Sequence, residues 1–296
     1  MDRERFWRSR FVWILRAVTV IMLMEGLGRT QAPAVVVAGE SETIPFTLND
    51  GYLIVVEGRI GAHRHLKLLL DTGATHSALR SDLAEEKEFV RRPVRIVNLD
   101  QVLKEELVEV QDFELGPIRV ALLPMLPHDL GSLRETVPGV DGVIGLDVLR
   151  LRSFSIDFGR RRIAFGFSPT LRHSAKMELD EASAAVDIML LNRRVRLLLD
   201  TGVPTILLYR DRLGDRLPEL KVAQKIRGAS LGGTASLEVV ELPPVHLNGT
   251  DLNRHAVLLR DSPAGFLPRV DGYLALKATG ARRFTFDFET RIFSWE

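Results

Sequence analysis

Two aspartates, Asp71 and Asp200, are the residues best placed to do chemistry, because each follows three leucines and opens an Asp-Thr-Gly turn. Leu68-Leu69-Leu70-Asp71-Thr72-Gly73 returns as Leu197-Leu198-Leu199-Asp200-Thr201-Gly202, an offset of 200 − 71 = 129 residues. A single Asp-Thr-Gly is an ordinary strand-ending turn, since Asp and Gly are both common there. Two of them in register point to a duplication, which would bring two carboxyls to equivalent positions. Carboxyls about one hydrogen bond apart cannot both ionise, so one proton is shared between them. One then accepts a proton from water while the other donates one to the reacting group, which is general acid–base hydrolysis without a covalent nucleophile.

The elements that must position these turns repeat with them. Val140-Asp141-Gly142 returns as Val270-Asp271-Gly272, and Phe154-Ser155-Ile156-Asp157-Phe158 as Phe284-Thr285-Phe286-Asp287-Phe288, both at an offset of 130 (270 − 140 and 284 − 154). Short apolar or β-branched runs between Gly, Pro and charged turns predict strands at 51–56, 66–70, 94–97, 107–110, 118–123 and 154–158. The second half predicts its own set at 186–191, 195–199, 235–240, 255–259 and 284–288. Helical pattern is confined to 81–89 and 211–217, so the fold class is all-β with short helices. A polar stretch at Pro169–Ala175 separates the repeats. It divides the chain into a leader over 1–38, a first lobe over 39–170 and a second over 171–296.

Composition removes several other classes. Lys and Arg total 40 against 39 Asp and Glu, a net charge of +1, so no strong field exists to hold nucleic acid. With no cysteine there is no disulfide, thiolate metal site or Cys nucleophile. His63 and His65 alternate as metal ligands do, but no acidic or His cluster stands near them in sequence, and a polar hairpin turn fits better. No cofactor and no metal is expected. Asn248-Gly249-Thr250 is a glycosylation sequon that reads here as a turn. The leader places Arg3, Arg5, Arg8 and Arg10 before an apolar run from Phe11 to Met24. That run is shorter than the roughly 20 residues of a bilayer span and matches an export signal, cleaved or kept as an anchor. The expected location is periplasmic or extracellular, with any membrane contact made through this segment alone.

Asp-Thr-Gly-Ala-Thr-His-Ser at Asp71–Ser77 resembles the catalytic loop of retropepsin-like and pepsin-like aspartic peptidases, and Val143-Ile144-Gly145-Leu146-Asp147-Val148-Leu149 resembles their apolar-apolar-Gly segment. The likeness extends over about 44–296 as two lobes. It implies two similar closed β-barrel-like lobes in a monomer, with Asp71 and Asp200 as catalytic residues acting on a peptide or protein substrate in the cleft between them. It further implies that Thr72 and Thr201 bond across the lobe interface and that Gly73 and Gly202 let backbone amides approach the carboxyls.

The second lobe departs from the pattern. Val203 and Pro204 stand where the first lobe has Ala74 and Thr75, and Ala275 replaces the glycine expected from Gly145. These residues leave two alternatives open: an inactive peptide- or protein-binding descendant, and a peptidase formed by two copies of lobe one. The flap shows the opposite bias. Gly228–Thr234 carries Gly232 and Gly233 at a predicted hairpin tip, assigning them to cover the substrate, whereas Asn98–Lys104 in lobe one has no glycine.

Overall fold

The computed structural model describes residues 14–16, 22–24, 35–37, 42–85, 91–98, 101–180, 183–214, 220–230, 233–259, 261–262 and 269–296. In the first lobe, Leu53–Ile60 pairs antiparallel with His63–Leu70, whose last three leucines are all nearly inaccessible to solvent. Leu68 and Leu70 enter one apolar cluster and Leu69 another. A strand buried on both faces is apolar throughout rather than alternating, which accounts for the three leucines before the aspartate. Leu197 and Leu199 divide from Leu198 in the same way.

The chain leaves His63–Leu70, turns through 71–77 and returns as Ala78–Arg80. Strand Gly142–Ile144 slots between the two arms, parallel to the first and antiparallel to the second. Lobe two repeats this with Arg193–Asp200, Ile206–Tyr209 and an inserted Gly272–Ala275. The insertion is close enough to demand glycine. A Cβ on Gly142 would stand 2.8 Å from the Ala78 carbonyl oxygen, and one on Gly272 would stand 2.0 Å from that of Leu207.

Lobe one closes into a barrel because the long strand Gln101–Leu115 pairs with Arg91–Asn98 through its first half and Ile118–His128 along its second, while Phe113 and Glu114 reach Ile60 and Arg59. In lobe two this strand is broken in two. Gly233–Glu241 pairs with Val222–Ser230, then Pro243 and Pro244 interrupt, and Val245–Leu247 completes the closure on Ala184–Leu190. Proline lacks the N–H that a ladder needs, so the break falls where the prolines stand.

A six-stranded sheet joins the lobes, in the order His173–Lys176, Ile292–Trp295, Arg283–Asp287, Phe154–Asp157, Arg162–Phe165, Glu42–Pro45. At its centre Phe154 faces Phe286 and Ile156 faces Phe284. Since Phe154 and Phe284 are repeat equivalents, this pairing is self-complementary, as in a two-fold dimer. Phe154 and Phe286 stack with ring centroids 4.8 Å apart, and each fully buried ring contributes about 1.5–3 kcal/mol.

The fold is all-β with short helices, as the sequence predicts. Of the expected helices, Ser81–Glu85 and Arg210–Leu213 form, and the remainder of each reading lies largely outside the described residues. The predicted strands were too short: 107–110 is the middle of Gln101–Leu115. Asn248-Gly249 forms the expected turn, with φ of 44° and 81°. His65 bonds the carboxylate of Glu57 at 2.8 Å, and no metal-holding cluster occurs among the described residues. Most of the leader lies outside the described residues. Its described strands, Ile14–Arg16, Met22–Met24 and Val35–Val37, lie against the two barrels, and no described helix is long and apolar enough to cross a membrane.

Candidate active site

Both Asp-Thr-Gly turns emerge at the seam between the lobes and lock to each other. The Thr72 N–H donates to Thr201 Oγ1 at 3.0 Å, and the Thr201 N–H donates to Thr72 Oγ1 at 3.1 Å. Each hydroxyl then donates onward across the seam, Thr72 to the Leu199 carbonyl at 2.9 Å and Thr201 to the Leu70 carbonyl at 2.8 Å. These four bonds form two equivalent pairs, because 70 and 199 are themselves separated by the repeat offset. Threonine suits the position because one hydroxyl both accepts and donates.

The lock sets the aspartates side by side. Asp71 and Asp200 are wholly buried. Asp71 Oδ1 accepts the amides of Gly73 at 2.9 Å and Ala74 at 3.2 Å, and Asp200 Oδ1 accepts that of Gly202 at 2.6 Å. Gly73 must be glycine here, since a Cβ would lie 2.4 Å from the Asp200 carboxyl carbon. The Oδ2 atoms of both residues are buried with no donor. Two carboxylate oxygens repel, so a hydrogen bond between the two carboxyls needs a proton on one of them. Burial raises Asp71 well above the usual carboxylate range, and the charge of Asp200 and a hydrogen bond to it raise it further. Burial also raises Asp200, against the lowering effect of the Gly202 amide and the bond to Asp71. Both carboxyls are thus raised together, and the titration belongs to the pair.

A family profile described as aspartyl protease matches residues 56–148. Over that stretch the chain is similar to aspartic peptidases. The matched region runs from within the strand Leu53–Ile60, through the Asp71 turn, into the helix Leu146–Leu149 of lobe one. Among solved structures the chain is similar to basic 7S globulin from soybean, at 15% identity and a TM-score of 0.48, over 86% of this chain and 96% of that one. No curated protein matches it.

The second lobe lies outside the matched region and departs from the first at Ala275, for which the structure accounts. Gly145 caps the helix Leu146–Leu149 at a place where a Cβ would stand 2.8 Å from the Ala74 carbonyl oxygen. In lobe two the inserted strand instead runs one residue further, so Ala275 pairs with Asp200 in extended backbone and fits buried without displacing the turn. Val203 is buried in the apolar cluster of that lobe.

Sequence reading missed two pairings. Asp147 accepts the Ser77 N–H on Oδ2 and the Ser77 hydroxyl on Oδ1, both at 2.8 Å, and the Val148 N–H at 3.0 Å. Desolvation pushes its carboxyl up to about 6 against these donors. Ser77 and Asp147 stand 70 residues apart in sequence, so no local pattern joins them. Tyr209 and Tyr273 pack edge to face, centroids 6.1 Å apart, in the lobe-two cluster. Their repeat equivalents are Arg80 and Val143.

Of the predicted site residues, Asp71, Thr72, Gly73, Asp200, Thr201 and Gly202 converge. Gly233 begins the return strand of the lobe-two hairpin, paired with Ser230, and Gly232 lies outside the described residues. Lobe one builds the same kind of hairpin without glycine, Asn98 pairing with Gln101. Glycine is thus not what makes the hairpin.

Proposed function

We propose that this chain is an aspartic endopeptidase, with Asp71 and Asp200 as its general acid and base. The observation that carries the reading is the pair of buried Oδ2 atoms, free of other donors, held by a reciprocal lock between two turns of one chain. The ionised carboxyl takes a proton from water as the oxygen attacks the peptide carbon, and the protonated one gives its proton to the carbonyl oxygen. Collapse of the tetrahedral intermediate breaks the C–N bond, and the proton gained from water passes to the leaving amine. The substrate is an extended peptide bound by backbone hydrogen bonds, covered by the hairpin bearing Gly232 and Gly233. The protein acts as a monomer after export through its leader.

Val203, Pro204 and Ala275 favour a second reading, an inactive peptide-binding protein. The intact bonds of Thr201 and Gly202 support the enzyme instead. A lobe-one homodimer has less support, because Asp71 already faces a carboxyl of its own chain. Incubating the purified chain with a peptide library from acid to neutral pH, beside Asp71→Asn and Asp200→Asn, tests all three. Cleavage lost in both variants supports the pair, cleavage kept in Asp200→Asn supports the homodimer, and binding without cleavage in the parent chain overturns the enzyme.

A further inference from the structure

We propose that Asp147, acting through Ser77, is a positioning residue for Asp71, fixing the lobe-one turn so that its carboxyl meets Asp200. This rests on the peptidase reading only in calling the pair catalytic.

A continuous run of bonds connects the two carboxyls of lobe one. Asp147 grips Ser77 at both its N–H and its hydroxyl. Ser77 Oγ accepts the Gly145 N–H at 3.1 Å, and the next amide, that of Leu146, donates to the Ala74 carbonyl at 2.8 Å. Ala74 in turn donates its N–H to Asp71 Oδ1. The middle of the 71–77 turn, at Ala74, and its end, at Ser77, are therefore both tied to the start of one short helix. Charge-assisted bonds are shorter and stronger than neutral ones, and those to Asp147 anchor the run.

Lobe two serves as an internal control. At the repeat positions of Ser77 and Asp147 it has Ile206 (77 + 129) and Lys277 (147 + 130). Ile206 is fully buried and Lys277 is exposed, its ammonium reaching the Gly51 turn of the other lobe. The same strand, turn and inserted strand form there without the carboxylate. Lobe two thus holds its turn with the buried Ile206 where lobe one uses the Ser77–Asp147 bonds, so in lobe one the placement of the turn falls to that pair. An error of about an ångström at a reacting group costs on the order of a hundredfold in rate, so a small displacement is enough to matter.

The test uses the full chain with Asp147→Asn, Asp147→Ala and Ser77→Ala, and Lys277→Gln as control. Peptide hydrolysis gives kcat and KM, melting gives stability, and carboxyl-carbon NMR titration reads the Asp71/Asp200 pair whether or not the protein cleaves peptides. Asp147→Ala and Ser77→Ala are expected to lower kcat about tenfold or more, in the range typical of outer partners of a site, with KM within about twofold. The raised titration of the pair should move down in pH as the carboxyls separate. Asp147→Asn keeps an acceptor oxygen and should recover part of both effects, and Lys277→Gln should change neither. Should Asp147→Ala fail to fold, Ser77→Ala and Asp147→Asn carry the same comparison. Lower melting with unchanged kcat and an unchanged pair titration would reduce Asp147 to a structural anchor and overturn the proposal. Absence of cleavage by the parent chain would overturn the peptidase reading alone, and the titration would still decide this one.

Discussion

Asparagine keeps the shape of aspartate but cannot exchange the shared proton. Asp71→Asn or Asp200→Asn is therefore expected to lower kcat by about 10²- to 10⁴-fold, measurable on any cleaved peptide. Stability should move the other way. Both carboxyls are raised above their unfolded value of about 3.9, so the folded chain holds protons that the unfolded chain has released. Their contribution is fully present below that unfolded value and is lost as pH rises through the folded values. Each single variant should thus melt higher than the parent at mildly alkaline pH, with the difference shrinking toward pH ~4, as scanning calorimetry across pH would show. Activity should decline over the same alkaline range, because a pair without its proton has no acid for the leaving amine. A rate that kept climbing with alkalinity would exclude the shared proton. Asp147, raised to about 6, adds a fall in stability between about pH 4 and 6, on the order of 2 kcal/mol given its partial exposure.

At the scale of elements, the inserted strand and the hairpins carry the consequences. Gly272→Ala would drive a methyl into the Leu207 carbonyl at 2.0 Å, in a place where backbone rather than a side chain must yield. A loss of about 3 kcal/mol or more is expected in chemical denaturation, at the upper end for overpacking. The hairpin prediction separates function from stability. Gly232→Val should reduce kcat/KM while melting stays near that of the parent, because a tip that covers substrate contributes little to the core. Unchanged kinetics would remove the hairpin from the site. Local sequence gave these elements unevenly. Leu107–Val110 showed its apolar alternation, but the charged stretch before it, Lys104-Glu105-Glu106, hid the rest of Gln101–Leu115, since hairpin pairing there is decided by a partner strand.

The whole molecule depends on the shared sheet, because the dyad exists only if the lobes keep one relative position. Phe286 packs against Phe154 from the other lobe and against Phe293. Phe286→Ala should cost about 3–5 kcal/mol by leaving a cavity at this junction. If the sheet sets the alignment of the two turns, kcat should fall in the same variant although Phe286 belongs to the shared sheet rather than to either turn. Normal turnover in a folded but destabilised variant would assign the alignment to the Thr72–Thr201 lock alone.

The duplication, the two carboxyls and the all-β class are properties of the sequence itself. Identical tripeptides behind triple leucines, at matching offsets, already require equivalent strands ending in equivalent turns. Tertiary structure decided what depends on long-range approach. Ala275 looked like damage to the second turn because glycine is expected at a close backbone crossing, yet it pairs with Asp200 and is buried while the Thr201 and Gly202 bonds stay intact. Ser77 and Asp147 carried no mark of their partnership, since a hydrogen bond across 70 residues leaves no periodicity to read. The raised pKa of the pair likewise follows from desolvation and mutual repulsion, which act only once folding has buried both aspartates in one seam.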